Sequence, residues 1–187
     1  MKTEDLVKAE APDVVIVATG AKPLILPIKG IENPDIISGS DLLEGKRVAG
    51  NKVLVVGGGM IGSETAAFLG EQEHDVTVIE YRDTVGADVI HEHRVFLMKD
   101  FREYGIGEIT GAKVVEFFSD GVAYETEDGE RHEIRGFDSV VLSMGYRNYN
   151  PFEGKELAKE TYVIGDAIRA RRALDATQEA YEVAMKL

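Results

Sequence analysis

The chain has 187 residues, 44% of them hydrophobic, enough for a sizeable core in one large domain or one and a half small ones. A formal net charge of -13 argues against nucleic acid and anionic membranes as partners, and the absence of cysteine excludes disulfides, thiolate metal sites and cysteine-ligated iron–sulfur clusters within it. With no apolar run near membrane-span length and no hydrophobic signal region, we expect a soluble cytoplasmic protein.

The first quarter of the chain predicts little regular structure. Residues 1–12 are typical of a short charged helix ending at Pro12, and residues 13–20 form a nearly continuous apolar run. Such runs are typical of parallel strands buried on both faces. Residues 21–51 are rich in proline and glycine, which predicts an irregular connector with one helical turn at 41–43.

Residues 52–80 predict a strand, a glycine turn, a helix and a second strand. In this pattern Gly57 allows the tight turn, Gly59 lets the backbone approach a ligand, and Gly62 lets the helix pack closely. Free N–H groups and the positive end of the helix then face an anion. We therefore expect the turn to bind a dinucleotide pyrophosphate through the following residues: Gly57, Gly58, Gly59, Met60, Ile61 and Gly62.

The second strand ends in an acid, Glu80, which lies 23 positions after Gly57. This is close to the roughly 20 positions expected for the acid that binds the ribose. A carboxylate here accepts hydrogen bonds from the adenine ribose and repels a 2′-phosphate, so NAD(H) is favoured over NADP(H). Arg82 follows two positions later and is either a solvated loop charge or a cation that softens this preference.

The second half of the chain changes its hydrophobic period. Residues 87–104 predict an amphipathic helix whose apolar face includes Val89, Val95, Phe96, Met98, Phe101 and Tyr104. An antiparallel meander with Asp-Gly turns is then predicted, with strands at 112–119, 121–126 and 130–134. Two short strands, at 138–145 and 162–166, and a final helix at 173–187 follow it. The fold class is therefore α/β, with a Rossmann-like three-layer parallel sheet and an antiparallel β-meander insertion.

Four segments, in this order, resemble the two-dinucleotide-domain flavoprotein family, which includes the pyridine nucleotide-disulfide reductases. Residues 12–21 are similar to its Ala-Thr-Gly strand, and Gly57 to Glu64 to its G-x-G-x-x-G-x-E nicotinamide fingerprint. Residues 142–147 resemble the turn at the second domain exchange, and 162–167 resemble its Gly-Asp flavin motif. Within the family, residues 41–46 and 174–181 are similar to the reductase half of old yellow enzyme-like dienoyl-CoA reductases, enoate reductases and trimethylamine dehydrogenase.

The chain departs from this family in what it lacks. The first glycine turn, which holds the ADP part of FAD, is missing, and so is the barrel with FMN and an iron–sulfur cluster. We therefore expect partial flavin-domain segments at 1–47 and 146–187 around an NAD(P)-binding domain at 48–145. This is most simply a fragment that has lost FAD and is inactive alone, with a homodimer as one way to cover its incomplete ends.

The resemblance implies roles for residues outside the glycine turn. Glu64 would lie near the nicotinamide, although it is equally interpreted as a solvated helix residue. Gly145 would let the backbone approach the nucleotide, and Gly165 with Asp166 would contact the flavin ribityl or pyrophosphate region. Ordinary turn glycines and a capping aspartate are the alternatives.

No catalytic side chain and no metal site is expected. Hydride transfer from nicotinamide to flavin requires the cofactors rather than an acid–base residue. The leading hypothesis is therefore the NADH-accepting part of a flavin-dependent oxidoreductase. A stand-alone nucleotide sensor and a simple NAD-dependent dehydrogenase remain open, because the same fold serves all three.

Overall fold

The computed structural model describes residues 3–187, and residues 1 and 2 of the predicted first helix lie outside this range. In chain order the elements are α1 (Thr3–Glu10), β1 (Val14–Val17), β2 (Ala21–Pro23), β3 (Ile37–Ser38), α2 (Gly39–Leu43), β4 (Lys52–Val56), α3 (Met60–Glu71), β5 (Asp75–Ile79), α4 (His91–Glu103), β6 (Gly107–Ile109), β7 (Lys113–Phe118), β8 (Gly121–Glu125), β9 (Arg131–Ile134), β10 (Ser139–Leu142), β11 (Tyr146–Asn148), β12 (Glu160–Val163), a 3₁₀ turn (Gly165–Ala167) and α5 (Ala173–Ala184). They form two compact units, which we call the central unit (residues 25–145) and the terminal unit (residues 3–24 and 146–187).

The central unit contains a five-stranded parallel sheet in the order β3-β10-β4-β5-β6. Its middle strand, β4, is the apolar run Lys52–Val56, and its last four residues are fully buried. Val53 and Val55 pack in the cluster that contains residues of α3 and α4. Leu54 and Val56 pack in a second cluster with residues of the meander. Alternation along one strand thus builds the three layers, and the predicted fold class is confirmed.

The meander consists of β7, β8 and β9, paired antiparallel in that order. Its two turns lie at Asp120-Gly121 and Asp128-Gly129, as predicted from the sequence. Gly129 has a φ of 82°, which glycine adopts without the strain that a Cβ would add. Local turn chemistry is therefore sufficient to explain this insertion.

The terminal unit is built from two-stranded pairs rather than a full sheet. β1 pairs parallel with β12, and β2 pairs antiparallel with β11. A small core consists of Val17, Leu157 and Ala167. The expectation that residues 13–20 are buried on both faces is wrong, because Ile16 is 46% exposed and β12 is the only strand paired with β1 in residues 3–187.

Several boundaries differ from the predicted ones, and two of these differences bear on the region around the glycine turn. α4 begins at His91 rather than at residue 87, because Ile90 is extended, with a ψ of 136°, and the residues before it form a turn in which the N–H of Val89 donates to the carbonyl of Gly86. Val95 and Phe96, predicted for the apolar face of this helix, are exposed, whereas Phe101, predicted for the same face, is buried, as is Leu97. The central unit begins at Ile25, since residues of β3 and α2 pack in its core, whereas the predicted nucleotide-binding domain began at 48.

None of the helices in residues 3–187 has the length and the apolar composition that crossing a membrane requires.

Candidate functional site

Three neighbouring strands of the central sheet end at the same edge. The ladders pair Val56 with Ile79 and with Leu142, so Gly57, Glu80 and Ser143 follow one another across the carboxyl ends of β4, β5 and β10. Ligands of open parallel sheets bind at such edges. The glycine turn, the predicted ribose acid and the segment after β10 therefore converge on one place.

Close backbone packing accounts for two of the three signature glycines. Gly57 has a φ of 100°, and a Cβ there would lie 2.4 Å from the carbonyl oxygen of Ser143. A Cβ on Gly62 would lie 1.8 Å from the carbonyl oxygen of Gly57. Both neighbours are backbone atoms, so neither can move aside without displacing a strand end or the turn. The two glycines press the start of α3 against the sheet edge.

Gly59 caps the start of α3 in a different way. Its φ of -67° is open to any residue, and a Cβ would lie 3.3 Å from the carboxylate of Asp88, an exposed side chain. Within residues 3–187, no side chain makes a capping hydrogen bond to this end, and the first turn contains no acid. The first N–H groups of a helix lack intrahelical partners and carry partial positive charge. An anion such as a pyrophosphate fits this end.

Glu80 is nearly buried, with 8% of its surface exposed. The N–H of Gly58 donates to its Oε2 at 2.5 Å, and the N–H of Arg82 donates to its Oε1 at 2.9 Å. The sequence predicted a ribose ligand here, and the structure adds that the same carboxylate ties the glycine turn to the end of β5. Each oxygen of an ionised carboxylate has two lone pairs, so one hydrogen bond apiece leaves capacity for a ribose hydroxyl.

Arg82 and Asp88 lie on the loop between β5 and α4. Their nearest charged atoms, Nη1 and Oδ1, are 3.8 Å apart, and both side chains are about half exposed. The same Asp88 carboxylate approaches Gly59 at the start of α3. Arg82 is thus part of a charge pair beside the glycine turn rather than an isolated loop cation.

Glu64 has different surroundings from Glu80. It is exposed on the second turn of α3 and lines a groove of about 220 Å³ against α4. The other lining residues come from the end of the preceding loop and from α4: Val89, His93, Phe96, Leu97 and Asp100. In the central unit, Glu64 is therefore a groove residue between two helices.

Gly145 follows β10 with a φ of 93°, and an added Cβ would meet no atom of residues 3–187 within 4 Å. The backbone conformation requires glycine, while the space beside it is open. In the terminal unit, the N–H of Gly165 donates to Glu179 Oε2 at 2.7 Å, and Asp166 Oδ1 accepts from the N–H of Arg171 at 3.1 Å. Asp166 is thus engaged in its own turn.

The family model described as pyridine nucleotide-disulphide oxidoreductase matches residues 2–169. The chain belongs to this family. The resemblance inferred from the four sequence segments is confirmed.

Two curated relatives in this family extend over nearly the whole chain. An NADH oxidase from Thermoanaerobacter brockii is 35% identical over 98% of the chain, and a cinnamate reductase from Clostridium sporogenes is 28% identical over 99%. The chain spans only 29% and 28% of their own lengths. What these longer proteins do as a whole is therefore established for them and not for this chain.

Solved structures give the same result for the fold. A 2-naphthoyl-CoA reductase structure matches 98% of the chain with a TM-score of 0.88 and 33% identity, and the chain covers 28% of it. Histamine dehydrogenase from Rhizobium sp. 4-9 matches all of the chain with a TM-score of 0.82 at 16% identity, which supports the fold alone. The chain thus spans 28% and 32% of these two structures.

Sequence reasoning missed two residues that the structure brings to these turns. Asp88 is one acid among several in residues 80–92, and only the folded loop brings it to the glycine turn. Glu179 Oε1 accepts from the Arg171 guanidinium at 2.5 Å while its other oxygen holds Gly165, and the Arg171 hydrogen bond lowers the pKa of this carboxyl. Asp88 belongs to no sequence motif, and although Glu179 lies in the family-like segment 174–181, nothing in that segment indicates its hydrogen bond to Gly165.

Proposed function

We propose that the central unit binds NADH and that, in a longer protein, the chain passes hydride from NADH to FAD as the nucleotide-accepting part of a flavin-dependent oxidoreductase. The observation that carries the proposal is the sheet edge where the uncapped start of α3, the glycine turn and Glu80 meet. Membership of the pyridine nucleotide-disulphide oxidoreductase family supports both cofactors.

Glu80 supports NADH over NADPH. Its carboxylate accepts two backbone N–H bonds, and it lies at the end of β5 where the adenine ribose is recognised in this fold. A nearly buried carboxylate at this position repels a 2′-phosphate and accepts a hydrogen bond from a 2′-hydroxyl. A selectivity of this kind combines one attractive and one repulsive contribution.

The residues of the chain bind and orient rather than transfer protons. Backbone N–H groups at the start of α3 hold the pyrophosphate, Glu80 accepts from the ribose, and the open space beside Gly145 admits the nucleotide backbone. When bound, the nicotinamide supplies the hydride and the flavin accepts it. Alignment of the two rings is therefore the contribution we assign to the protein.

Gly59→Ser tests the pyrophosphate site. Serine is a good N-cap residue, so α3 keeps its stability or gains a few tenths of a kcal/mol. Its Cβ and hydroxyl occupy the space and the N–H donors that a pyrophosphate needs. We expect the dissociation constant for NADH to rise at least about tenfold in a fluorescence titration, while the melting temperature stays at or above that of the wild type.

Gly107→Ser is the matched control. Gly107 lies at the amino end of β6 beside Thr77, away from the carboxyl edge of the sheet, and has no positive φ. NADH affinity should not change in this variant. Equal NADH binding by wild type and Gly59→Ser, with both folded, would overturn the assignment of this site.

We propose that other parts of a longer protein complete the terminal unit. Several of its apolar side chains are exposed, namely Ile16, Ile168, Leu174, Tyr181, Met185 and Leu187. The missing flavin-domain segments, and in the parent protein a barrel with FMN and an iron–sulfur cluster, are the partners we assign to it. For the chain alone, the alternative that we propose is contact with a second copy of the chain, which would bury these apolar side chains.

A further inference from the structure

We propose that Asp88 is a second selectivity residue for the nucleotide: it pairs with Arg82 and so withholds that cation from a 2′-phosphate. The proposal rests on the proposed function, because it concerns the same dinucleotide edge. It assigns the rejection of NADPH to two carboxylates, Glu80 and Asp88, instead of one.

Arg82 is positioned where its positive charge would attract a 2′-phosphate. Its backbone N–H donates a hydrogen bond to the Glu80 carboxylate, so its Cα lies directly beside the residue that we expect to bind the ribose. An arginine near this acid is the group that accommodates a 2′-phosphate in dinucleotide-binding sheets. A free Arg82 would therefore work against the selectivity that Glu80 establishes.

The position of Asp88 allows it to act on both ligand and cation. Its Oδ1 is 3.8 Å from Arg82 Nη1, and its carboxylate lies against Gly59 at the start of α3. The loop is held there by the N–H of Gly86, which donates to the carbonyl of Gly58 at 2.7 Å. Backbone packing rather than the exposed ion pair thus fixes where Asp88 lies.

The negative charge of Asp88 partly neutralises the guanidinium that a 2′-phosphate would need. This effect acts on NADPH more strongly than on NADH, because NADPH carries the additional phosphate charge. The half-exposed pair is screened by water and salt, so its contribution is modest and falls with ionic strength.

The test compares Asp88→Asn with the wild type by fluorescence titration of NADH and of NADPH at low salt. We expect the ratio of the NADPH to the NADH dissociation constant to fall by about twofold to fivefold, the range for a solvent-screened charge pair. Adenosine 2′,5′-bisphosphate against 5′-AMP should show the same change, since this pair isolates the 2′-phosphate. At about 0.5 M salt the change should largely vanish.

Two further variants separate the pairing from simple charge removal. Asp83→Asn removes an exposed acid one position from Arg82 and should leave the ratio unchanged. In an Arg82→Ala background, Asp88→Asn should shift the ratio much less than it does alone. An equal shift with and without Arg82, or no shift in Asp88→Asn, overturns the proposal.

The proposed function fails in a different way. If wild type binds neither nucleotide, the dinucleotide site itself is wrong, and the selectivity proposal falls with it. If wild type binds NADH and only the selectivity result is negative, the proposed function stands and the role of Asp88 does not. Melting temperatures of all variants confirm that each is folded.

Discussion

The two units use parallel strands of similar composition in different ways. β4 of the central unit has neighbours on both edges and packed layers on both faces, so Val53 to Val56 are fully buried. β1 of the terminal unit has one partner strand, and of its four apolar residues only Val17 is buried. An apolar run thus identifies a strand suited to a parallel sheet, and the remaining layers decide whether it becomes buried.

The largest expected difference between the units lies in their cores. Leu54→Ala removes a fully buried side chain between the sheet and the meander, and we expect a loss of about 3–4 kcal/mol in the free energy of unfolding. Leu157→Ala makes the same change in the small terminal core and should cost about 2 kcal/mol, since fewer side chains surround the cavity. Urea unfolding of both variants measures this, and equal losses would remove the distinction.

Glycines sharpen the same comparison. Gly62→Ala forces a Cβ to within 1.8 Å of the Gly57 carbonyl oxygen, and we expect it to cost about 3 kcal/mol by displacing the turn. Gly20→Ala in the terminal unit meets no atom within 4 Å in residues 3–187, so only the strain of its φ of 74° remains, about 1 kcal/mol. Thermal unfolding should rank the two, and a larger loss for Gly20→Ala would contradict the packing argument.

Acid titration compares one carboxyl in each unit. Hydrogen bonds from Lys155 and Lys8 lower the pKa of Glu4 in the terminal unit from 4.5 to about 2. Hydrogen bonds from Lys29 and Arg131, at 2.5 and 2.6 Å, lower the pKa of Glu116 in the meander.

A lowered folded-state pKa gives stability that is present above pH 4.5 and is lost as pH falls through the folded-state value. Glu4→Gln and Glu116→Gln should therefore each be less stable than wild type at pH 7 and approach it as pH falls, for Glu4 down to about pH 2. Melting temperatures from pH 7 to pH 2.5 check this. A gap that widens on acidification would contradict the assigned ion pairs.

Flavin binding tests whether the terminal unit is as complete as the central one. Asp166 is engaged by Arg171, and Gly165 by Glu179, so this turn offers little to hold FAD without the missing ADP-binding segments. We expect the purified chain to bind NADH yet to retain almost no FAD absorbance. Stoichiometric yellow protein would show that the chain holds flavin by other means.

The smallest expected effect concerns association through the exposed face of the terminal unit. Leu174 and Tyr181 of α5 are 67% and 66% exposed, and contact with a second copy would bury part of that apolar surface. Leu174→Glu should lower the apparent molar mass in light scattering at high concentration without changing NADH affinity. If the wild-type chain is monomeric at every concentration tested, self-association through this apolar surface is ruled out.

The sequence by itself determined the elements whose causes are local. Gly57, Gly59 and Gly62 specify the turn because they stand within one strand–helix junction, and the Asp-Gly pairs specify the meander because a hairpin turn needs only its own residues. The four family segments were sufficient to identify the family, since each is a contiguous motif. Glu80 was identified by its place at the end of the second predicted strand and by its distance from the turn.

Only the tertiary structure decided what depends on residues far apart in the chain. Glu80 and Gly58 are distant in sequence, so the hydrogen bond that ties the acid to the turn exists only once β4 and β5 are paired. Asp88 reaches Gly59 because residues 85–89 pack on the turn instead of beginning α4, which no helical periodicity reveals. The exposure of Ile16 likewise follows from which layers cover β1. The hydrophobic pattern of a strand does not indicate which other elements pack against it.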